Sequence, residues 1–352
     1  MSNALIAKAE AQGNHLELGE LISLLNLTDQ EVLDELWQAA DRVRAKEVGE
    51  DVWLRGLLEF SNFCHCQCAY CGIRADNRSI TRYRMTEDEI LAAAREISAA
   101  GIGTIVLQSG EDAWWTGDRV ARLISRLKIE HDLAITLSLG DRTKEELALW
   151  RSAGADRYLL RFETSNSELY AKFHPDSTLA TRLNTLAELK FLGYDVGSGC
   201  LVGLPGQTTR DLALDLLLGR DLELDMFGVG PFIPHPDTPL GSCPQGSTDM
   251  TYKMVALARL VMRNVHIPVT TALATLDADG REKGWQRGAN VVMPNATPPP
   301  YRQQYELYKN KRCIDDTLKH CRGCLGGRIA RIGRQVGQGQ GGSLRKAGRT
   351  NE

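Results

Sequence analysis

Four cysteines stand within eight residues, Cys64-His65-Cys66-Gln67-Cys68-Ala69-Tyr70-Cys71, and three of them keep a C-x3-C-x2-C spacing. Three thiolates on one short loop hold three irons of a cubane cluster and leave the fourth iron open to another ligand. A structural zinc site needs a fourth ligand and usually pairs two C-x2-C knuckles far apart in sequence, which this loop alone does not supply. Cys66-x-Cys68 offers a competing pair of sulfurs; Cys64, Cys68 and Cys71 are taken as the metal ligands. A second group, Cys313-x7-Cys321-x2-Cys324, suits a structural cluster, or zinc with His320 as fourth ligand. Cys200 and Cys243 stand alone and read as ordinary reduced thiols.

Such a loop needs a frame, and 352 residues at 43% hydrophobic and 25% charged are enough to bury one. From residue 54 short β-rich runs alternate with amphipathic stretches, the pattern of βα units around a parallel sheet. Eight strands are expected at 54–60, 104–108, 134–139, 157–161, 196–202, 226–230, 268–272 and 290–293. Helices are expected at 86–99, 119–129, 144–153, 179–192, 208–219 and 252–261. The fold class is α/β, read as a (β/α)8 TIM-type barrel; a doubly wound open sheet would give a similar pattern. Residues 1–50 read as an N-terminal helical extension. Residues 51–324 form the barrel, with a C-terminal plug and the second cysteine segment. Residues 325–352, rich in Gly, Gln and Arg, read as a flexible basic tail.

Barrel active sites are built where strands end, and here polar residues crowd those ends. The first strand runs into the cysteine loop, the second into Ser109-Gly110-Glu111-Asp112, the third into Ser138, the fourth into Arg161-Phe162-Glu163. A net charge of −3 supplies no field for a polyanion, so neither nucleic acid nor an anionic membrane is an expected partner. No run of about 18 apolar residues occurs and the start lacks a secretory pattern, so a cytoplasmic, reducing location is expected.

With Tyr70 as its aromatic, the C-x3-C-x-aromatic-C loop after a first barrel strand resembles the radical S-adenosylmethionine (SAM) superfamily. The resemblance implies a 4Fe–4S cluster on Cys64, Cys68 and Cys71, and SAM chelating the open iron. One-electron reduction then breaks a C–S bond to give a 5′-deoxyadenosyl radical. It assigns SAM binding to Tyr70, to Ser109-Gly110-Glu111 in place of a Gly-Gly-Glu element, and to Ser138, Arg161, Glu163 and Arg182. A carboxylate suits two hydroxyl donors and a guanidinium suits a carboxylate; the plainer reading of Glu163 and Arg182 is an ion pair at the barrel mouth.

Longer blocks, IVLQSGEDAWW, TLSLGD, AGADRYLLRFETSN, VGLPGQT, GPFIPHPDTPL and ANVVMPNATPPPYRQQYELY, resemble the HydE-type maturases of FeFe hydrogenase over residues 50–325. Phe162 and Cys66 depart from that pattern. The likeness implies assembly of the diiron subcluster from a small organometallic iron–cysteine substrate, with other hydrogenase maturases and a ferredoxin or flavodoxin as partners. It also implies an auxiliary 2Fe–2S or 4Fe–4S cluster on Cys313, Cys321 and Cys324. Donors expected to face an anionic substrate are Arg161, Thr270, Thr271, Tyr301, Arg302, Tyr305 and Tyr308, with packing across the barrel end as the plainer role of the tyrosines. A methylornithine-synthase-like mutase, a biotin-synthase-like sulfur inserter and a non-catalytic iron–sulfur carrier are the rival readings.

Overall fold

A computed structural model of the chain describes residues 2–312 and 317–347. Its parallel sheet has ten strands: β1 (Asp51–Leu54), β2 (Gly56–Ser61), β3 (Thr104–Ser109), β4 (Ala134–Ser138), β5 (Arg157–Leu159), β6 (Asp195–Val202), β7 (Met226–Pro231), β8 (Pro268–Val269), β9 (Val291–Val292) and β10 (Gln335–Val336). The order is β10-β1-β9-β8-β7-β6-β5-β4-β3-β2. Because β1 and β2 are one run interrupted at Arg55, with β1 on β9 and β2 on β3, the sheet returns on itself. Leu57 N donates to Pro294 O at 2.9 Å and Ala296 N to Leu57 O at 2.7 Å, closing the seam. The result is the TIM-type α/β barrel read from the sequence, with the first strand split in two and β10 added at its rim.

The helices begin where their capping chemistry lies. Thr86, Thr143 and Thr208 each accept from the third helical N–H, and Glu89, Glu146 and Asp211 each return a bond to the cap, opening helices Glu87–Ala99, Lys144–Ala153 and Thr209–Asp221. The expected strand 268–272 is shorter, since Thr270 caps a helix Thr271–Leu276. Residues 2–48 form helices Ser2–Gln12, Leu18–Leu25 and Gln30–Val48, joined in part by a short 3-10 turn. They share one apolar core with helix Thr248–Met262, which is buried from Thr251 onward. No helix among the described residues is long and apolar enough to cross a membrane.

The segment from 325 is not a free end over its described part. Helix Leu318–Arg331 leads to β10, which pairs with β1 through Asp51↔Gln335 and Val52↔Val336. Arg334 is buried and donates to Trp285 O, Ala289 O, Asp51 O and Glu50 O at 2.9–3.2 Å. Two of its glycines serve close approach: a Cβ at Gly337 or Gly341 would lie 2.8 or 2.6 Å from the Trp53 ring. Residues 313–316 and 348–352, Cys313 included, lie outside the described residues. Arg334→Ala leaves four carbonyls without their donor and is expected to lower the unfolding free energy by about 3 kcal/mol. Urea denaturation checks this, and a loss below about 1 kcal/mol, the worth of a single ordinary hydrogen bond, would make the clamp incidental.

Candidate active site

Where β2 ends, the chain turns into the cysteine loop, and main-chain bonds fix its course. His65 N donates to Glu111 O (3.2 Å), Ala69 N to Phe173 O (2.9 Å), Cys71 N to Cys68 O (3.3 Å) and Gly72 N to Leu307 O (2.9 Å). Gly110 is required beneath it, since a Cβ there would lie 2.3 Å from Phe63 O and 2.6 Å from Cys64 Cβ. Burial pushes the Cys68 thiol up and the Cys71 thiol to about 12. The Cys66 thiol hydrogen-bonds the Cys64 sulfur, which brings Cys64 down to about 7 and drives Cys66 up. Ligand atoms of His65, Cys66 and Glu111 lie within 4.8 Å of one another, the one such group among the described residues. Cys64, Cys68 and Cys71 do not share that single-ion spacing.

These sulfurs open into a cavity of about 370 Å³ at the strand ends, within the range of small-molecule sites. Ser109, Gly110, Glu111, Ser138, Arg161, Glu163 and Arg182 line it, as does Tyr70. Glu111 Oε1 accepts from Asp141 N (3.1 Å), and Arg182 Nη2 pairs with Asp141 Oδ2 (3.0 Å) rather than with Glu163. Glu163 instead stands 3.0 Å from Arg161 Nη2, on a residue with φ 64°. Burial raises its carboxyl against the pull of Arg161 and Arg182. Buried Glu163 Oε2, Arg161 Nε, Arg182 Nε and Asp141 Oδ1 have no aligned hydrogen bond, although Glu163 Oε2 lies in the ion pair just given. Polar atoms left in that state are strongly driven to find a partner.

The lining also holds apolar residues, among them Leu57, Ile73, Met226, Val269, Met293 and Leu307. Thr270, Thr271, Tyr305 and Tyr308 face the cavity as expected. Tyr301 and Arg302 do not, which corrects their assignment. Tyr301 stacks on Tyr83 and donates to Glu89 Oε1 (2.7 Å), while buried Arg302 donates to Thr297 O (2.9 Å) and Asn295 O (3.1 Å). Both spend their polar groups holding the C-terminal segment over the barrel mouth. A buried ion pair, Glu59 with Lys311, also lines the cavity and was missed by the sequence reading. A glutamate inside the apolar run Leu57-Leu58-Glu59-Phe60 was its one signal. Cys321 is buried and Cys324 exposed on helix Leu318–Arg331, outside the lining of this cavity. Cys200 lies mid-strand in β6 and Cys243 is half-buried.

The sequence profile of the Radical SAM superfamily matches residues 58–218, from β2 into helix Thr209–Asp221. The chain is 46% identical over 321 residues, 91% of its length and 92% of the other's, to the FeFe hydrogenase maturase subunit HydE of Thermotoga maritima. The chain belongs to the HydE-type radical SAM enzymes. It is also 31% identical, over 80% of each chain, to 3-methylornithine synthase of Methanosarcina acetivorans. A crystal structure of methylornithine synthase (PylB) superposes with a TM-score of 0.86 at 27% identity, covering 98% of this chain and 99% of that one.

Radical SAM enzymes use a 4Fe–4S cluster and SAM, and the residues fit both. The buried Cys68 and Cys71 thiols, pushed up, carry little charge alone; a cationic iron cluster is what lets them act as thiolates. Arg161, Glu163 and Arg182, which line the cavity and each keep a polar atom without an aligned hydrogen bond, supply the mixed donors and acceptors that a zwitterionic nucleoside requires. Behind Tyr70 this radical SAM site has a support absent from the sequence reading. His174 Nδ1 donates to Tyr170 O (3.1 Å), which leaves Nε2 to accept from Tyr70 Oη (2.8 Å). Burial, helped by Arg182, lowers His174 to about 4. The unfolded chain therefore binds the extra proton between pH 4 and about 6.5, so the stability contribution is complete above 6.5 and falls by about 3 kcal/mol on acidifying to 4. His174→Gln keeps an acceptor for Tyr70 and is expected to remove that part of the pH slope in urea midpoints; an unchanged slope would assign it to other groups.

Proposed function

We propose that Cys64, Cys68 and Cys71 hold the 4Fe–4S cluster and that Tyr70, Ser109, Gly110, Glu111, Ser138, Arg161, Glu163 and Arg182 hold SAM. We infer that the enzyme acts in assembly of the diiron subcluster of FeFe hydrogenase, on a small organometallic iron–cysteine substrate. The observation that carries this reading is that these separately predicted residues line one cavity, in a chain 46% identical to a HydE over nearly its whole length.

When bound, the cluster and SAM supply one-electron cleavage to a 5′-deoxyadenosyl radical, a step that belongs to the cofactors. The protein's part is to bind, orient and exclude. Glu111 offers a carboxylate to an amino group, Arg161 and Arg182 offer guanidinium forks to a carboxylate, and Glu163 accepts from hydroxyls. Tyr305, Leu307 and Tyr308, in the cavity lining, are the residues we assign to keeping water from a reactive intermediate. Burial keeps both phenols protonated, so they act as neutral donors. Thr270, Thr271 and Lys311 add donors for an anionic substrate.

The proposal extends to a cytoplasmic setting, to other hydrogenase maturases with a ferredoxin or flavodoxin donor as partners, and to an auxiliary cluster on Cys313, Cys321 and Cys324. Anaerobic reconstitution, reduction with dithionite and addition of SAM test the central claim. The EPR signal of the reduced cluster is expected to change with SAM, with release of methionine and 5′-deoxyadenosine. A cluster indifferent to SAM would favour an iron–sulfur carrier. The likeness to PylB favours a second reading as a mutase; incubation with lysine separates the two, since methylornithine formation would replace the maturase assignment.

A further inference from the structure

Arg82 follows Cys71 by eleven residues and turns its guanidinium back under the cysteine loop. Nη1 donates to Asn62 O (2.5 Å) and Ile73 O (2.8 Å), and Nη2 to Arg74 O (2.6 Å) and Asn77 O (3.1 Å). Asn62 stands two residues before Cys64 and Ile73 two after Cys71, so a single side chain ties together the two ends of the loop. All its hydrogen-bond partners among the described residues are main-chain carbonyls. Its neighbour Arg84 differs, being neutralised by a fork onto Asp112 at 2.7 and 2.9 Å.

We propose that Arg82 both clasps the cluster loop and raises the reduction potential of the cluster held there, by leaving one uncompensated positive charge behind it. This rests on Cys64, Cys68 and Cys71 being the cluster ligands. The bonds of Arg82 to Asn62 O and Ile73 O place that charge beside the two ends of the set, two residues from Cys64 and two from Cys71. Carbonyl dipoles orient the guanidinium without cancelling its unit charge, whereas a carboxylate would. The reduced cluster carries one more negative charge than the oxidised one, so a fixed cation nearby favours the electron; net charge near the cluster is among the determinants of its potential. An enzyme that must reduce its cluster before cleaving SAM gains directly from such a charge. Lysine at this position would keep the charge and lose the four-bond fork, and glutamine would lose the charge.

The test is an EPR-monitored redox titration, without SAM, of the reconstituted full-length wild type, Arg82→Lys and Arg82→Gln. Iron and sulfide content of the wild type is measured first; a wild type that assembles no 4Fe–4S cluster defeats the ligand assignment itself. With the cluster present, Arg82→Gln is expected to shift the reduction equilibrium at least about tenfold toward the oxidised state, 59 mV for one electron. Arg82→Lys is expected to keep the wild-type potential while losing iron faster to a chelator. A full cluster in Arg82→Gln at the wild-type potential overturns the proposal. Should Arg82→Gln hold no iron, Arg82→His replaces it. Its potential is expected to fall as pH rises through about 6.5, where an ordinary histidine loses its charge; a potential no more dependent on pH than the wild type's overturns the proposal equally.

Discussion

Cys68→Ala is expected to abolish cluster assembly and SAM cleavage together, while Cys66→Ala leaves both close to wild type. Four cysteines lie on this loop, and spacing alone leaves Cys66 in competition. The structure gives the two residues different surroundings. Both line the cavity, but the Cys68 thiol is raised chiefly by burial, in the condition of a ligand waiting for a cation. Cys66 is occupied by the Cys64 sulfur and stands with His65 and Glu111, in a group suited to a single ion. Losing a direct ligand removes more than the roughly 10–100-fold that loss of a ligand's hydrogen-bonding partner typically removes. Iron and sulfide content, the EPR signal and 5′-deoxyadenosine release are the measurements. If Cys66→Ala lost the cluster and Cys68→Ala kept it, the ligand set would be Cys64, Cys66 and Cys71. Cys321→Ala, remote from the cavity, is expected to spare cleavage.

The barrel was legible because its signals are local. The capping pairs Thr86 with Glu89, Thr143 with Glu146 and Thr208 with Asp211 mark helix starts within a residue, and apolar runs mark each strand. The site was legible to the extent that it sits at strand ends, where a polar residue after an apolar run has few structural reasons to be there. Tyr301 and Arg302 failed that logic: they come from the segment crossing the mouth, and a sequence does not say whether a tyrosine faces inward or stacks on a neighbour such as Tyr83. Lys311 and His174 were hidden because their partners, Glu59 and Tyr70, lie 252 and 104 residues away. The segment after 325 was misread because glycine content says nothing of what packs against the backbone, and here Trp53 meets Gly337 and Gly341, β1 pairs with β10 and Arg334 donates to four carbonyls.

Gly140→Ala is expected to cripple SAM binding while leaving the cluster intact. Gly140 follows β4 with φ 76°, in the left-handed region that costs an L-residue roughly 1–2 kcal/mol. A Cβ there would lie 2.0 Å from Glu111 Cγ and 2.3 Å from its Cδ and Oε1. No small adjustment relieves an overlap that begins at Cγ, so the whole Glu111 side chain must leave, and with it the bond that Asp141 N donates to Oε1. Glu111 is the carboxylate proposed for the SAM amino group. Its displacement is expected to weaken SAM binding roughly 10–100-fold, at 1.4 kcal/mol for each tenfold, and to remove the SAM-induced EPR change. The three atoms nearest a Cβ at Gly140 all belong to Glu111 and none to the cluster loop, so iron content should stay at the wild-type level. Gly110→Ala makes the contrast, because its Cβ meets Phe63 O and Cys64 Cβ in the loop itself and should lower iron content as well. If Gly140→Ala bound SAM with wild-type affinity, Glu111 would not be the group that holds it.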